Sequence, residues 1–77
     1  MQVSKLKWKC RKGVRELDIL LTRYLDNVFL TSPIIEQDIF QEFVEKDTYE
    51  ILDILMNKKT FDQKYNKVVS ILRTLNK

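Results

Sequence analysis

The sequence predicts an all-α fold, a compact antiparallel bundle of five helices in a single domain spanning residues 1–77. Apolar residues recur at intervals of three and four along most of the chain, which is the spacing of one helix face. With one glycine and one proline in 77 residues, long irregular loops are not expected. The β-branched pairs at 34–35 and 68–69 show neither alternation of period two nor a hairpin turn, which argues against a sheet.

The first two helices are predicted on either side of the single glycine, Gly13. A short helix from about residue 3 to residue 11 places Leu6 and Cys10 four apart on one face. Gly13 follows where that helix should end and the chain should turn. The second helix carries the longest apolar stripe, formed by Val14, Leu17, Leu21, Tyr24, Leu25 and Val28.

Capping residues mark the starts of the third and fourth helices. Ser32 is predicted to cap the third, with Pro33 at its first position. Asp47 is predicted to cap the fourth, with Glu50 reaching back three residues later as in a capping box. The core face predicted for the third helix is Ile35, Ile39, Phe40, Phe43 and Val44. The face predicted for the fourth is Ile51, Leu52, Leu55 and Met56.

The fifth helix is predicted from a full capping box. Thr60 to Gln63 matches the pattern in which a hydroxyl side chain is followed three residues later by Glu or Gln. The stripe that follows runs at helical spacing to the end of the chain and consists of Phe61, Tyr65, Val68, Leu72 and Leu75.

Composition excludes several kinds of active site. The chain contains no histidine, so Ser-His and Cys-His nucleophile systems and His-containing metal sites are ruled out. One glycine cannot form a Gly-rich phosphate loop. The single cysteine, Cys10, cannot form an internal disulfide, which favours a reducing compartment, and its place on the first stripe favours burial. We therefore predict no catalytic residue, no metal site and no enzyme activity.

Charge is concentrated at the amino end. Residues 1–15 hold six bases and no acid, whereas residues 16–77 hold eight bases and eleven acids, which together give the net charge of +3. Such a basic end favours an acidic or polyanionic partner, although a solvated terminus would show the same pattern. A net charge of +3 is small for a domain that binds nucleic acid through phosphate contacts.

The elbow, defined as residues 11–16, joins the first two predicted helices and is the densest group of polar side chains. Charged residues recur four apart here, Arg11 with Arg15 and Lys12 with Glu16. The group could therefore be no more than a set of surface ion pairs, each of which stabilises the fold by about 0–1 kcal/mol. The basic turn with a nearby tryptophan nevertheless holds the residue types enriched at protein-binding hot spots. We predict a partner-binding surface formed by Arg11, Lys12, Gly13, Arg15, Glu16 and Trp8. Trp8 could instead be a lid over a small core.

Asp18 lies on or beside the buried stripe of the second helix. An unpaired carboxylate there would cost several kcal/mol, so Asp18 needs a partner. Arg11 and Arg15 are close enough in sequence to serve. We interpret Asp18 as one half of an internal ion pair that fixes the first helix against the second, with a direct role in partner binding as the alternative.

Residues 8–18, W-K-C-R-K-G-V-R-E-L-D, resemble the amino-terminal signature of the SdhE family of succinate dehydrogenase flavinylation factors, which contains the motif R-G-x-x-E. Gly13 and Glu16 stand as the motif requires. Residues 39–48 are similar to the family's L-F-x-x-L-L-E-x-D-D, and residues 55–57 match its L-M-N. The family pattern also implies a five-helix bundle.

Three positions depart from the family pattern. Lys12 replaces the arginine of R-G-x-x-E, which keeps the charge but loses the planar, bidentate guanidinium. Ile54 replaces the usual tryptophan before L-M-N, which we interpret as an exchange within the core. Thr48 replaces the second acid of the D-D pair, and at a helix start it can still act as a capping residue.

The resemblance implies an assembly factor that binds the flavoprotein subunit of succinate dehydrogenase or fumarate reductase and promotes covalent attachment of FAD to a histidine of that client. FAD would then belong to the client, with no cofactor held stably by this chain and at most transient contact. Gly13 would permit close backbone approach, Glu16 would pair with a cation or donor, and the elbow's bases would supply positive charge. We expect a bacterial, cytoplasmic monomer that neither binds nucleic acid nor is embedded in a membrane.

Other classes of function stay open at this point. Members of the same family are also described as the antitoxin partner of a small membrane toxin. The basic end could equally serve a generic adaptor or a weak nucleic-acid-binding module, whose affinity would fall steeply with salt and would not need Glu16.

Overall fold

The computed structural model of the chain describes residues 3–75 and places five α-helices in them, which confirms the all-α class. The helices are α1 (Val3–Lys9), α2 (Arg15–Asn27), α3 (Ile34–Val44), α4 (Thr48–Leu55) and α5 (Asn66–Leu75). Two 3-10 turns, Phe29–Thr31 and Gln63–Tyr65, precede α3 and α5. Within residues 3–75 no helix is long and apolar enough to cross a membrane.

Aromatic side chains of α2 and α3 stack on each other within the core. The ring of Tyr24 stacks on that of Phe40, with centroids 4.2 Å apart and planes 8° apart. Phe29 packs against Phe40 in a tilted arrangement at 5.8 Å. The predicted α2 stripe is confirmed, and it also includes Leu20, which lies three residues after Leu17 on the same face.

The ends of the bundle are attached to this core through a few fully buried side chains. Leu6 and Cys10 are completely buried, which confirms the face predicted for α1. Ile54 is also completely buried and confirms the interpretation of a core exchange. Val69 joins the predicted α5 face in the core cluster.

The start of α3 differs from the prediction that Ser32 caps it. The Ser32 hydroxyl donates a hydrogen bond to the Val28 carbonyl at 2.8 Å and so closes the preceding 3-10 turn. Pro33 occupies the N-cap position instead, and it makes no side-chain cap. The hydroxyl is therefore used on the other side of the helix boundary.

The buried face of α3 is narrower than predicted. Phe40, Phe43 and Val44 are buried, but Ile35 is 74% exposed. At 3.6 residues per turn, Ile35 lies about 140° around the helix from the centre of that face. The prediction that Ile35 is a core residue is therefore wrong.

The boundaries of α4 are partly as predicted. Asp47 caps the helix by accepting a hydrogen bond from the Tyr49 N–H at 3.1 Å. Glu50 does not complete a capping box, because its carboxylate pairs with Lys46 at 3.3 Å and Lys59 at 3.6 Å. Met56, predicted to be in the core, follows the end of the helix and is 60% exposed.

The predicted capping box before α5 is not formed. Asp62, rather than Thr60, takes the capping role by accepting from the Lys64 N–H at 2.9 Å. The segment it caps is the 3-10 turn, and α5 begins only at Asn66.

The stacked pair of Tyr24 and Phe40 should dominate the stability of the core. We expect Phe40→Ala to lower the free energy of unfolding by about 3–5 kcal/mol, because it leaves a cavity against Tyr24. Ile34→Ala on the same helix, where the side chain is 74% exposed, should change stability by no more than about 0.5 kcal/mol. Urea denaturation measures both, and equal losses would contradict the central place of the pair.

Candidate partner-binding site

The elbow adopts a backbone conformation that favours glycine. Gly13 has a φ of +86°, in the left-handed region that L side chains rarely adopt. A Cβ built at this position would meet nothing within 4 Å. Glycine is therefore required here by the backbone angle, and the space beside it is open to another molecule.

Asp18 holds the elbow in place through the backbone. Its Oδ1 accepts a hydrogen bond from the Lys12 N–H at 2.5 Å, and the Asp18 N–H donates to the Val14 carbonyl at 2.8 Å as α2 begins. The predicted ion pair with Arg11 or Arg15 is not formed, and both arginines are exposed. The carboxylate lies in the first turn of α2, where it accepts from a main-chain N–H six residues earlier. The hydrogen bond therefore satisfies the carboxylate without removing an arginine guanidinium from water.

A second set of contacts attaches the elbow to the turn between α3 and α4. The Lys12 Nζ donates to the Lys46 carbonyl at 3.3 Å, and the Thr48 hydroxyl donates to the Lys12 carbonyl at 3.4 Å. Next to them, Lys9 and Glu45 form an ion pair at 2.5 Å. Thr48 therefore serves as a tie to the elbow and not as the cap of α4, a role that Asp47 fills.

The structure divides the predicted site residues into two groups. Lys12 is half-buried and is used internally, whereas Arg11, Gly13, Arg15 and Glu16 are exposed. Glu16 has no ion pair or side-chain hydrogen bond within residues 3–75, although Lys12 lies four positions before it. Four of the five polar or flexible elbow positions chosen from the sequence are thus presented to solvent together.

Trp8 extends this exposed group along α1. Its side chain is 73% exposed, so the interpretation of a lid over the core is wrong. It borders a shallow depression that also includes Lys7 and Arg11. A large exposed aromatic between bases has the composition of an interface anchor.

The thiol of Cys10, the residue before the elbow in sequence, is buried and is kept neutral. Burial raises its pKa from 9.0 to about 11, an effect that the nearby Lys12 charge partly opposes. On the surface, the hydrogen bond and charge of Lys9, the neighbour of Cys10 in sequence, lower the pKa of Glu45. The thiol is thus a core group without the thiolate character that reactivity requires.

Sequence reasoning missed the residues that support the elbow. Lys46 and Thr48 lie more than thirty positions away, and nothing in local spacing connects them to residue 12. The available signal was the family pattern D-D at 47–48, whose second position Thr48 occupies. Within residues 3–75 no group of three or more potential metal-ligating side chains is found.

A family model and several named proteins that are similar to this chain all point to one family. A family model described as flavinator of succinate dehydrogenase matches residues 4–76. The chain is similar to proteins named FAD assembly factor SdhE from Francisella tularensis (31% identity, 87% of this chain and 70% of that protein) and Coxiella burnetii (30%, 94% and 89%). A third, from Pectobacterium atrosepticum, has the same name (28%, 96% and 85%). No solved structure gives a significant match.

Removing the Asp18 carboxylate should loosen the elbow. We expect Asp18→Ala to lower the free energy of unfolding by about 1–3 kcal/mol, because the Lys12 N–H loses its acceptor. Asp18→Asn, which keeps the Oδ1 acceptor, should lose less. Asp26→Ala, an exposed acid on the same helix, is the matched control and should change stability by no more than about 0.5 kcal/mol. Urea denaturation of the three variants tests the assignment, which fails if Asp18→Ala behaves like Asp26→Ala.

The Cys10 thiol should be protected in the native protein. At about pH 8 we expect alkylation by iodoacetamide to be at least about 100-fold slower in the native chain than in urea, because the thiolate is scarcer and buried. Since the folded pKa is the higher one, the unfolded chain loses this proton first, and stability should fall as pH rises from 9.0 to about 11. Mass spectrometry follows the alkylation, and equal rates in both conditions would contradict the burial.

Proposed function

This chain belongs to the family of flavinators of succinate dehydrogenase, and on that premise we propose that it is an assembly factor for FAD. It binds the flavoprotein subunit of succinate dehydrogenase, or of fumarate reductase, and promotes covalent attachment of FAD to that subunit. The family resemblance inferred from residues 8–18 is confirmed. The proposal is supported by the name FAD assembly factor that several relatives carry.

The observation that carries the proposal is that the residues that hold the elbow in place differ from the residues that it exposes to solvent. Lys12 and Asp18 hold the turn, while Gly13 and Glu16, the two residues that match the family motif, stay exposed. A recognition surface on a fixed turn loses little conformational entropy when a partner binds. The elbow is therefore suited to recognise a preformed surface.

The chemistry of flavin attachment is assigned to the client. This chain has no histidine, so it cannot carry a flavin linked to that residue. Glu16 supplies one carboxylate, Arg11 and Arg15 supply positive charge, and the open space at Gly13 allows the client's backbone to approach. By binding the client conformation in which flavin and histidine are aligned, the factor raises the population of that conformation without catalysing a step itself.

The surface is suited to a protein partner better than to nucleic acid. Glu16 lies among the exposed bases, where it would repel a phosphate backbone. Lys9 is paired with Glu45, and Lys12 donates to a main-chain carbonyl, so two of the six amino-terminal bases are already engaged. Mixed charge around an exposed tryptophan is typical of protein interfaces.

Glu16→Gln should impair flavin attachment while the chain stays folded. Loss of a charge-assisted hydrogen bond of about 1.5–3 kcal/mol corresponds to about tenfold or more in the rate of flavinylation. Flavinylation is measured as the flavin fluorescence of the denatured flavoprotein subunit. The subunit is produced in cells that lack their own assembly factor and express either the wild-type chain or the variant.

Asp38→Asn is the matched control, since it removes the same charge from an exposed position on α3 and should leave flavinylation unchanged. Circular dichroism establishes that both variants fold. Full flavinylation with Glu16→Gln would remove Glu16 from the site. A pull-down from cell extract with the wild-type chain tests the function itself, and recovery of a small membrane protein in place of the flavoprotein would overturn it.

A further inference from the structure

An apolar groove of about 300 Å³ adjoins the elbow and has no role in the function proposed above. Leu17 and Leu20 of α2, both buried, lie on one side of it. Leu52, Leu55 and Met56, from the second half of α4 and the residue after it, lie on the other. Glu16, the last residue of the elbow, also lines the groove, so the two surfaces share a residue.

Exposed apolar surface continues from the groove along α4. Tyr49, Leu52 and Met56 follow one another at spacings of three and four, which places them on one face of the helix. Tyr49 is 71% exposed and Met56 is 60% exposed. Thr48, the residue before Tyr49, donates to the Lys12 carbonyl, so the first turn of α4 lies beside the elbow. Exposed apolar side chains next to an apolar groove are typical of an interaction site.

The groove is bordered by one fixed cation and one unpaired anion. Arg73 of α5 lines it, and its Nη2 donates to the Ile54 carbonyl at 2.8 Å and to the Asn57 Oδ1 at 2.7 Å. The Glu16 carboxylate at the elbow has no partner in the part of the chain that the structure describes. Because Arg73 already donates to two acceptors of this chain and Glu16 has no partner within residues 3–75, Glu16 is the charged group left for an occupant to contact, and a basic group next to an apolar one would fit it.

The size of the groove indicates what can enter it. About 300 Å³ is the lower end of the range for small-molecule pockets, which is too small for a dinucleotide cofactor and suits one or two large side chains. A second copy of this chain offers Trp8 beside Arg11, but that contact would occupy the elbows of both copies and leave no site for a client.

We propose that the groove receives an apolar side chain of the flavoprotein client, from a segment that also places a basic residue against Glu16. The inference rests on the proposed function and deepens it. The elbow then supplies the polar half of the interface, and the groove with the α4 face supplies the apolar half.

Isothermal titration of the purified, unflavinylated flavoprotein subunit with the full chain tests the inference. Met56→Glu should weaken binding at least about tenfold, because it places a charge in the apolar contact. Met56→Leu, which keeps the apolar surface, should stay within about threefold of the wild type. Ile34→Glu, at a 74% exposed apolar position on α3, is the matched control and should also stay within about threefold. The Met56→Glu defect should persist at about 0.5 M NaCl, since apolar contacts are not screened by salt.

Met56→Ala is the second variant, in case the introduced charge disturbs folding, and should weaken binding about threefold to tenfold. If Met56→Glu and Met56→Ala both bind as tightly as the wild type, the groove is not part of the interface, and the assembly-factor function still stands. No binding by the wild type would overturn both. Sedimentation equilibrium provides the remaining outcome: a wild-type dimer that Met56→Glu abolishes would assign the groove to a second copy and also overturn the inference.

Discussion

The hydrogen bond from the Lys12 N–H to the Asp18 carboxylate is the constraint on which the site depends. It closes the turn around Gly13, whose left-handed φ would otherwise be one of many conformations open to a glycine. Because the carboxylate belongs to the first turn of α2, the hydrogen bond attaches the elbow to a helix whose apolar face is buried in the core. A flexible connection is thereby converted into a surface of fixed shape.

Three consecutive residues show how closely the site and the core are joined. Glu16 is exposed at the elbow, Leu17 is buried in the core, and Asp18 accepts the hydrogen bond that holds the turn. Successive residues of a helix point about 100° apart, so one turn can place one side chain in solvent, the next in the core and a third against the backbone of the elbow. Packing of α2 therefore sets the position of Glu16 to within the freedom of a single side chain.

Local patterns predicted the features that local physics determines. The α2 stripe, the turn at Gly13 and the Asp47 cap depend on neighbours in sequence, and all three are found in the structure. The predicted arginine partner of Asp18 is wrong because the turn at Gly13 brings a backbone N–H to the carboxylate, and charge spacing along the sequence carries no information on that donor. The ties from Lys46 and Thr48 could not be predicted, since they depend on how α3 and α4 pack beneath the elbow.

Asn57 shows how the far end of the molecule keeps its register. It has a left-handed φ of 62° at the end of α4, and its side chain accepts from Arg73, which also donates to Ile54. Sliding α5 by one residue would separate the guanidinium from both acceptors at once, so these two hydrogen bonds fix the register of α5 against the end of α4. Residues 58–60 are exposed and lie outside any helix, whereas Phe61 packs against the core, so a change of loop length at residues 58–60 would leave both walls of the groove in place.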